Sequence, residues 1–168
     1  SVKEHIGYMS QRFSLAETLT VAENLFYVSE VWHVPHGERR KRVTRLLEFS
    51  RLGPFQDRLT RNLSGGMKQK LSLCACLIHE PQILLLDEPT IGQHPADVQK
   101  LLPAFRELAG PVVFVEHDRM AAAGADQAID IGPGAGHQGG RVVFAGTPTQ
   151  LWKADTSTGR YFSRRERL

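Results

Sequence analysis

The apolar positions change period twice along the chain. His5-Ile6-Gly7-Tyr8-Met9 is a short apolar run that predicts a strand, and Ser10-Gln11-Arg12-Phe13 leaves it as a loop. From Val21 the spacing becomes helical, with Val21, Leu25, Val28 and Trp32 on one face. Thr20, followed three residues later by Glu23, predicts a capping box at the start of that helix, and Pro35 breaks it. A second helix is expected from about Gly37. Its apolar side is Val43, Leu46, Leu47 and Leu52, and Arg39, Arg40, Lys41 and Arg42 form a basic, solvated side. Residues 57–61 read as a polar connector. Ser64 then opens a third helix that runs through Leu71, Leu73, Leu77 and Ile78 to Pro81.

After Pro81 the pattern alternates between strand and helix. Ile83 to Leu86 is a continuous apolar run, as expected of a strand covered on both faces of a parallel sheet. Residues 96–109 predict a helix that Pro103 should weaken or kink, and Val112 to Val115 a second buried strand. Arg119 to Gly124 reads as a short helix and Ala128 to Ile131 as a third strand. Residues 132–140 are a glycine-rich loop, Arg141 to Ala145 the last strand, and Pro148 opens a short helix through Leu151 and Trp152. The fold class is α/β. A helical block (13–80) is inserted between pieces of a mostly parallel sheet (1–12 and 81–150), and 151–168 form a C-terminal helix and tail.

Composition narrows this only a little. The 168 residues fit one domain of ordinary size, and 41% hydrophobic content suffices for a core. No apolar run approaches a membrane span, and no signal-peptide pattern opens the chain. A net charge of +3 permits a nucleic-acid or acidic-membrane partner without arguing for one. Cys74 and Cys76 lie two apart on a predicted helix and so point to different faces. They read as small core residues in a reducing compartment, not as a disulfide or a zinc pair. Ser1-Val2-Lys3-Glu4 runs straight into a strand without an initiator Met, which reads as a piece of a longer chain.

The candidate chemistry lies in two stretches. In Asn62-Leu63-Ser64-Gly65-Gly66-Met67, the glycines leave backbone N–H groups bare at the positive end of a helix, and the Ser hydroxyl adds a donor. That pattern favours a phosphate, with a plain helix cap as the alternative. In Ile83-Leu84-Leu85-Leu86-Asp87-Glu88-Pro89-Thr90, an apolar strand ends in two carboxylates, where α/β proteins place ligands. Asp87 there can hold Mg²⁺ through water. Glu88 points the other way and can align or deprotonate an attacking water. The bland alternative is a pair of solvated acids. His117 and Gln11 each follow a strand, so the imidazole could bond a γ-phosphate and the amide could touch both metal and water.

Together these residues resemble an ATP-binding cassette (ABC) ATPase, a P-loop NTPase-like fold, across nearly the whole chain. The resemblance makes Gln11 the Q-loop, Leu63 to Met67 the signature, Asp87 and Glu88 the Walker B acid and catalytic base, and His117 the switch histidine. It implies ATP and Mg²⁺ as cofactors and a second cassette as partner, because in that family each signature completes the partner's site. Residues 5–90 are similar to the ATPase subunit of a membrane exporter. Residues 91–168 are similar to the excision-repair ATPase UvrA, in Ile91-Gly92-Gln93-His94 with Asp97, in 126–136, in Gly139-Gly140, in Gly146-Thr147-Pro148 and in Thr158 to Tyr161. Gln93 and His94 replace the Leu and Asp usual in transporters, which puts cross-dimer coupling through His94 in doubt. The inserted modules and zinc cysteines of UvrA have no counterpart, so the chain reads as a fragment or composite with its seam near Asp87 to Thr90.

The 168 residues contain no Gly-x-x-x-x-Gly-Lys-Ser/Thr. In the family this Walker A lies upstream of the Q-loop, so the cassette reads as lacking its N-terminal part. The resemblance therefore directs Ser64, Gly65 and Gly66 to a nucleotide held by another subunit. Three functions follow from it. The first is an exporter ATPase docked to a membrane-spanning subunit in the groove between Gln11's loop and the helical block. It would be cytoplasmic and held at the inner membrane face through that subunit. The second is a repair ATPase acting on DNA, and the third a non-catalytic half-cassette acting in trans.

Overall fold

The computed structural model describes residues 5–11, 14–92, 94–108, 110–132 and 139–164. Gln93, and the 133–136 part of the stretch compared with UvrA, lie outside the described residues, as does the side chain of Asp97. The chain divides into two compact units, 1–116 and 117–168.

The first unit is built on a parallel sheet of three strands in the order β1 (Ile6–Met9), β2 (Ile83–Asp87) and β3 (Val112–Val115). Tyr8 pairs with Leu85, and Leu85 with Val113, so the strands end together on one edge. Between β1 and β2 the chain leaves the sheet for α1 (Val21–Val31), α2 (His36–Ser50) and α3 (Gly65–Leu77). The insertion of a helical block into an α/β sheet is the architecture expected from the sequence.

The capping box at Thr20 forms as expected: its hydroxyl accepts from Glu23 N at 3.2 Å, and Glu23 Oε2 accepts from Thr20 N at 2.8 Å. Asn24, 1% exposed, ties the incoming loop to this helix. Its Oδ1 accepts from Ala16 N at 2.9 Å, and its Nδ2 donates to Ala16 O at 2.9 Å and Thr60 Oγ1 at 2.9 Å. Residues 57–61 are more ordered than a polar connector, because Thr60–Asn62 form a 3₁₀ turn whose Thr60 N donates to Leu19 O. The core of the block joins Val21, Leu25, Val43, Leu46, Leu47, Leu71, Cys74 and Ile78 to Met9, Leu84 and Leu86 of the sheet.

The basic side of α2 is only partly solvated. Arg39 Nη1 donates to Glu30 Oε1 at 2.6 Å, and Arg42 reaches Ile78 O at 3.1 Å and Glu80 Oε2 at 3.0 Å. The first bond ties α2 to α1, and the bonds of Arg42 pin the end of α3 to α2. Both cysteines are free, Cys74 buried and Cys76 half-buried, and burial pushes each thiol up to about 12. They are core residues, as the sequence suggests.

The apolar strands are not covered on both faces. Leu84 and Leu86 are buried, whereas Ile83 and Leu85 alternate to an exposed side shared with Tyr8, Val113 and Val115. The helical block packs on the opposite face. Gly7 permits that packing, since a Cβ there would lie 2.9 Å from Cys76 O of α3 and 2.8 Å from Pro81 Cγ. After β2 the chain forms α4 (Pro95–Arg106), which contains Pro103 and ends three residues earlier than its apolar pattern suggests.

The second unit holds α5 (Arg119–Ala123), β4 (Ala128–Ile131), β5 (Val142–Gly146), α6 (Pro148–Leu151) and α7 (Ser157–Arg164). β4 and β5 pair antiparallel with each other and do not extend the parallel sheet. α7 lies within the C-terminal helix and tail expected over 151–168, beyond the short helix that Pro148 opens. Thr158 Oγ1 of α7 donates to Asp130 Oδ1 of β4 at 2.8 Å, and Arg119 of α5 stacks over Trp152 at 4.8 Å.

Candidate functional site

The C-terminal edge of the parallel sheet gathers the predicted chemistry of the first unit. Gln11 follows β1, and Asp87 and Glu88 end β2 and begin the next loop. Gln11 Nε2 donates to Glu88 Oε2 at 2.6 Å, although 77 residues separate them. An ionised carboxylate only accepts, so the amide nitrogen faces Glu88 and the amide oxygen lies on the other side.

Glu88 is held in a left-handed backbone conformation, φ 49°. For a side chain other than glycine this costs about 1–3 kcal/mol and persists only where the surroundings over-determine it. Here they do. Glu88 N donates to Val115 O at 2.9 Å, and Glu88 O accepts from Ile91 N at 3.2 Å and from Gln69 Nε2 at 3.0 Å. The strained residue is the one whose carboxylate the sequence singles out. One residue beyond Pro89, the backbone N and hydroxyl of Thr90 both donate to Glu116 Oε1, at 2.9 and 2.6 Å, closing the loop after β2 against the end of β3.

Ser64 caps α3, its Oγ accepting from Met67 N at 3.3 Å. The first intrahelical bond is Lys68 N to Ser64 O at 2.9 Å, so the helix ladder leaves the N–H groups of Gly65 and Gly66 unclaimed. Gly65 is helical and exposed, and a Cβ there would meet nothing within 4 Å. Neither backbone conformation nor internal packing requires glycine at that point. What a missing Cβ does provide is close access to the backbone from outside. The structure thus brings Gln11 to Glu88 and places Ser64, Gly65 and Gly66 at an open helix start.

His117 is exposed and lies in the second unit, directly before Asp118, whose Oδ1 caps α5 by accepting from Ala121 N at 2.9 Å. His94 precedes α4, and its Nδ1 accepts from Ala96 N at 3.2 Å. That is the helix-capping bond an Asp carboxylate would make, so the His–Asp exchange keeps the local cap.

The donor set fits Mg²⁺ carried in with a nucleotide. That ion keeps much of its water and binds through one or two carboxylates plus substrate phosphates. Asp87, half-buried at the strand end, would supply a carboxylate, and the amide oxygen of Gln11 would supply a neutral ligand. Among the described residues no group of three or more His, Cys, Asp or Glu forms a cage of its own.

Sequence reasoning missed two residues of this edge, Gln69 and Glu116. Gln69 was detectable, because Gln69, Leu73 and Leu77 follow at intervals of four and a polar residue on a buried helical stripe needs a partner. Nothing in the one-dimensional pattern links Glu116 to Thr90.

Comparison with known proteins accounts for this arrangement. The probable multidrug ABC transporter ATP-binding protein YbhF of Escherichia coli is 40% identical over 157 residues, covering 94% of this chain and 26% of that protein. The UvrABC system protein A of Bacillus subtilis is 34% identical over 168 residues, covering 95% of this chain and 18% of that protein. Both alignments run through Asp87 to Thr90. The chain spans about a quarter of YbhF and less of the UvrA protein. A solved ATP-binding cassette, a dimer in a post-hydrolysis state bound to ADP and Pi, superposes with TM-score 0.64 at 30% identity. It covers 74% of this chain and 57% of that one. The ABC transporter family model matches residues 1–91, more than half the sequence, and the chain accordingly belongs to the ABC transporter family as an ATP-binding domain.

Proposed function

We propose that these residues are the signature-and-base portion of a cassette that hydrolyses ATP in a two-cassette dimer and energises export through a membrane-spanning partner. The reading rests on the meeting of Gln11 and Glu88 at 2.6 Å on the C-terminal edge of adjacent parallel strands, a neutral amide against a carboxylate held by its own backbone.

In this reading Glu88 accepts the proton of the attacking water as its oxygen bonds to the γ-phosphorus, and the bridging bond breaks to release ADP. Gln11 orients that carboxylate and, through its amide oxygen, the metal's water. Asp87 would hold Mg²⁺, which would supply charge neutralisation on the phosphates. His117 bonds the γ-phosphate. Ser64, Gly65 and Gly66 offer donors at a helix start to the nucleotide of the opposite cassette, where the dipole favours negative charge. The parts divide as sheet strand and Q-loop (1–12), signature block (13–80), Walker B and switch half (81–150) and C-terminal segment (151–168). The membrane subunit docks between Gln11's loop and the helical block, and α1 of that block exposes Phe26, Tyr27 and Val31. No described helix is long and apolar enough to cross a membrane.

The test is a cassette completed by a Walker A segment placed ahead of Ser1. It should hydrolyse MgATP, and Glu88→Gln should lower turnover about a hundredfold or more. The 168 residues alone should show no turnover. Full activity of Glu88→Gln in the completed cassette would remove Glu88 from the chemistry, and turnover by the 168 residues alone would remove the need for a Walker A.

A second reading, an ATPase acting on DNA, is favoured by the 34% identity to a UvrA protein over nearly the whole chain. Duplex binding whose affinity falls steeply with salt would support it, and no binding at low salt would exclude it.

A further inference from the structure

We infer that Gln69 is a positioning residue: its buried amide links the signature helix to the main chain of Glu88, so that the two catalytic contributions of this chain share one mechanical connection. The inference rests on the proposal that Glu88 is the base. Gln69 is 1% exposed, five residues after Ser64 on α3, and its Nε2 donates to Glu88 O at 3.0 Å. That carbonyl also accepts from Ile91 N, so its two lone pairs are occupied, one by the loop and one by the helix. The same residue receives Gln11 at its carboxylate and stands at φ 49°. Gln69 is the one of these contacts that comes from the helix carrying Ser64 and Gly65.

A second observation separates positioning from packing. Gln69 Oε1 is buried with no hydrogen-bond partner among the described residues. An unpaired buried acceptor opposes stability, and an apolar side chain of equal length would avoid it. An amide half-satisfied at this position is therefore poorly explained by folding and well explained by the bond it gives Glu88. A shift of α3 when Ser64, Gly65 and Gly66 engage a nucleotide would reach Glu88 through one rigid turn of helix.

Gln69→Met keeps length and apolar volume and removes the donor. In the 168-residue chain the melting temperature should stay within a few degrees of the wild type. The Gln11 side-chain amide resonance should move toward its free position, and exchange at the amides of Glu88 and Ile91 should quicken about tenfold. In the completed cassette, turnover should fall about tenfold with the KM for ATP within twofold. Gln69→Asn, too short to reach, should show the same resonance and exchange changes, with a lower melting temperature because its buried amide is left unpaired. Wild-type Gln11 resonance and exchange rates in Gln69→Met would overturn the link itself. The link intact but turnover unchanged would overturn its catalytic role. Should Glu88→Gln retain full turnover, it is the base assignment that fails, and the resonance and exchange data still decide whether Gln69 holds Glu88.

Discussion

Asn24 offers the sharpest stability test, because its buried side chain ties the start of the 14–20 loop to Thr60. Asn24→Leu nearly conserves volume, so no large cavity term enters. It strands two groups, Thr60 Oγ1 on a fully buried residue and the N–H of half-buried Ala16, whose C=O keeps its bond from Leu19 N at 3.2 Å. A buried polar group left unpaired costs about 1–3 kcal/mol, and water can recover most of the loss at Ala16. The expected total is about 1–3 kcal/mol, a large share of the roughly 5–15 kcal/mol typical of a domain. With a urea dependence of about 2 kcal/mol per molar, the midpoint should fall by about 0.5–1.5 M. The amide of Ala16 should also lose its protection from exchange. A midpoint shift below about 0.5 M would refute the reasoning and mean that the loop of residues 14–20 finds other partners.

Two further outcomes follow from the same packing. His79 stacks on Trp32 with ring centroids 4.1 Å apart, and burial, aided by the charge of nearby Arg42, holds its imidazole below the usual histidine range. The unfolded chain then binds more protons, so stability should decline as pH falls below about 6.5 and level off beneath the folded value. His79→Phe should remove the decline in a urea titration repeated at each pH; an unchanged slope would acquit His79. Leu71 is fully buried in the middle of the signature helix, so Leu71→Ala should cost about 2–5 kcal/mol by urea unfolding. A loss under about 1 kcal/mol would show that this helix is not anchored by its core face.

How much of this could be read from residues alone depended on whether the signal was local. The capping box at Thr20, the cap at Ser64 and the apolar stripe of Val21 and Leu25 are decided within a few residues, and they formed where the pattern put them. The Gln11–Glu88 meeting was legible as two strand ends, since parallel strands place such ends on one edge. The coverage of β2 was not legible. A run of four apolar residues says that both faces are apolar, not that both are packed, and Ile83 and Leu85 stand on the open one. Nor was the antiparallel pairing of β4 with β5, because strand partners depend on contacts far apart in sequence. The bonds of Gln69 and Glu116 depend on tertiary approach across 19 and 26 residues: the helical period marks Gln69 as facing the core but does not name its partner, and nothing local marks Glu116.

The central claim is that Ser64, Gly65 and Gly66 act on a nucleotide held by an opposite cassette while Glu88 removes it by hydrolysis. The most direct measurement is the mass, by sedimentation, of the completed cassette carrying Glu88→Gln with and without MgATP. The account predicts a dimer that forms with ATP and persists because hydrolysis is blocked, and a return to monomer when Ser64→Arg is added. A mass that ignores ATP, or a dimer indifferent to Ser64→Arg, would contradict it.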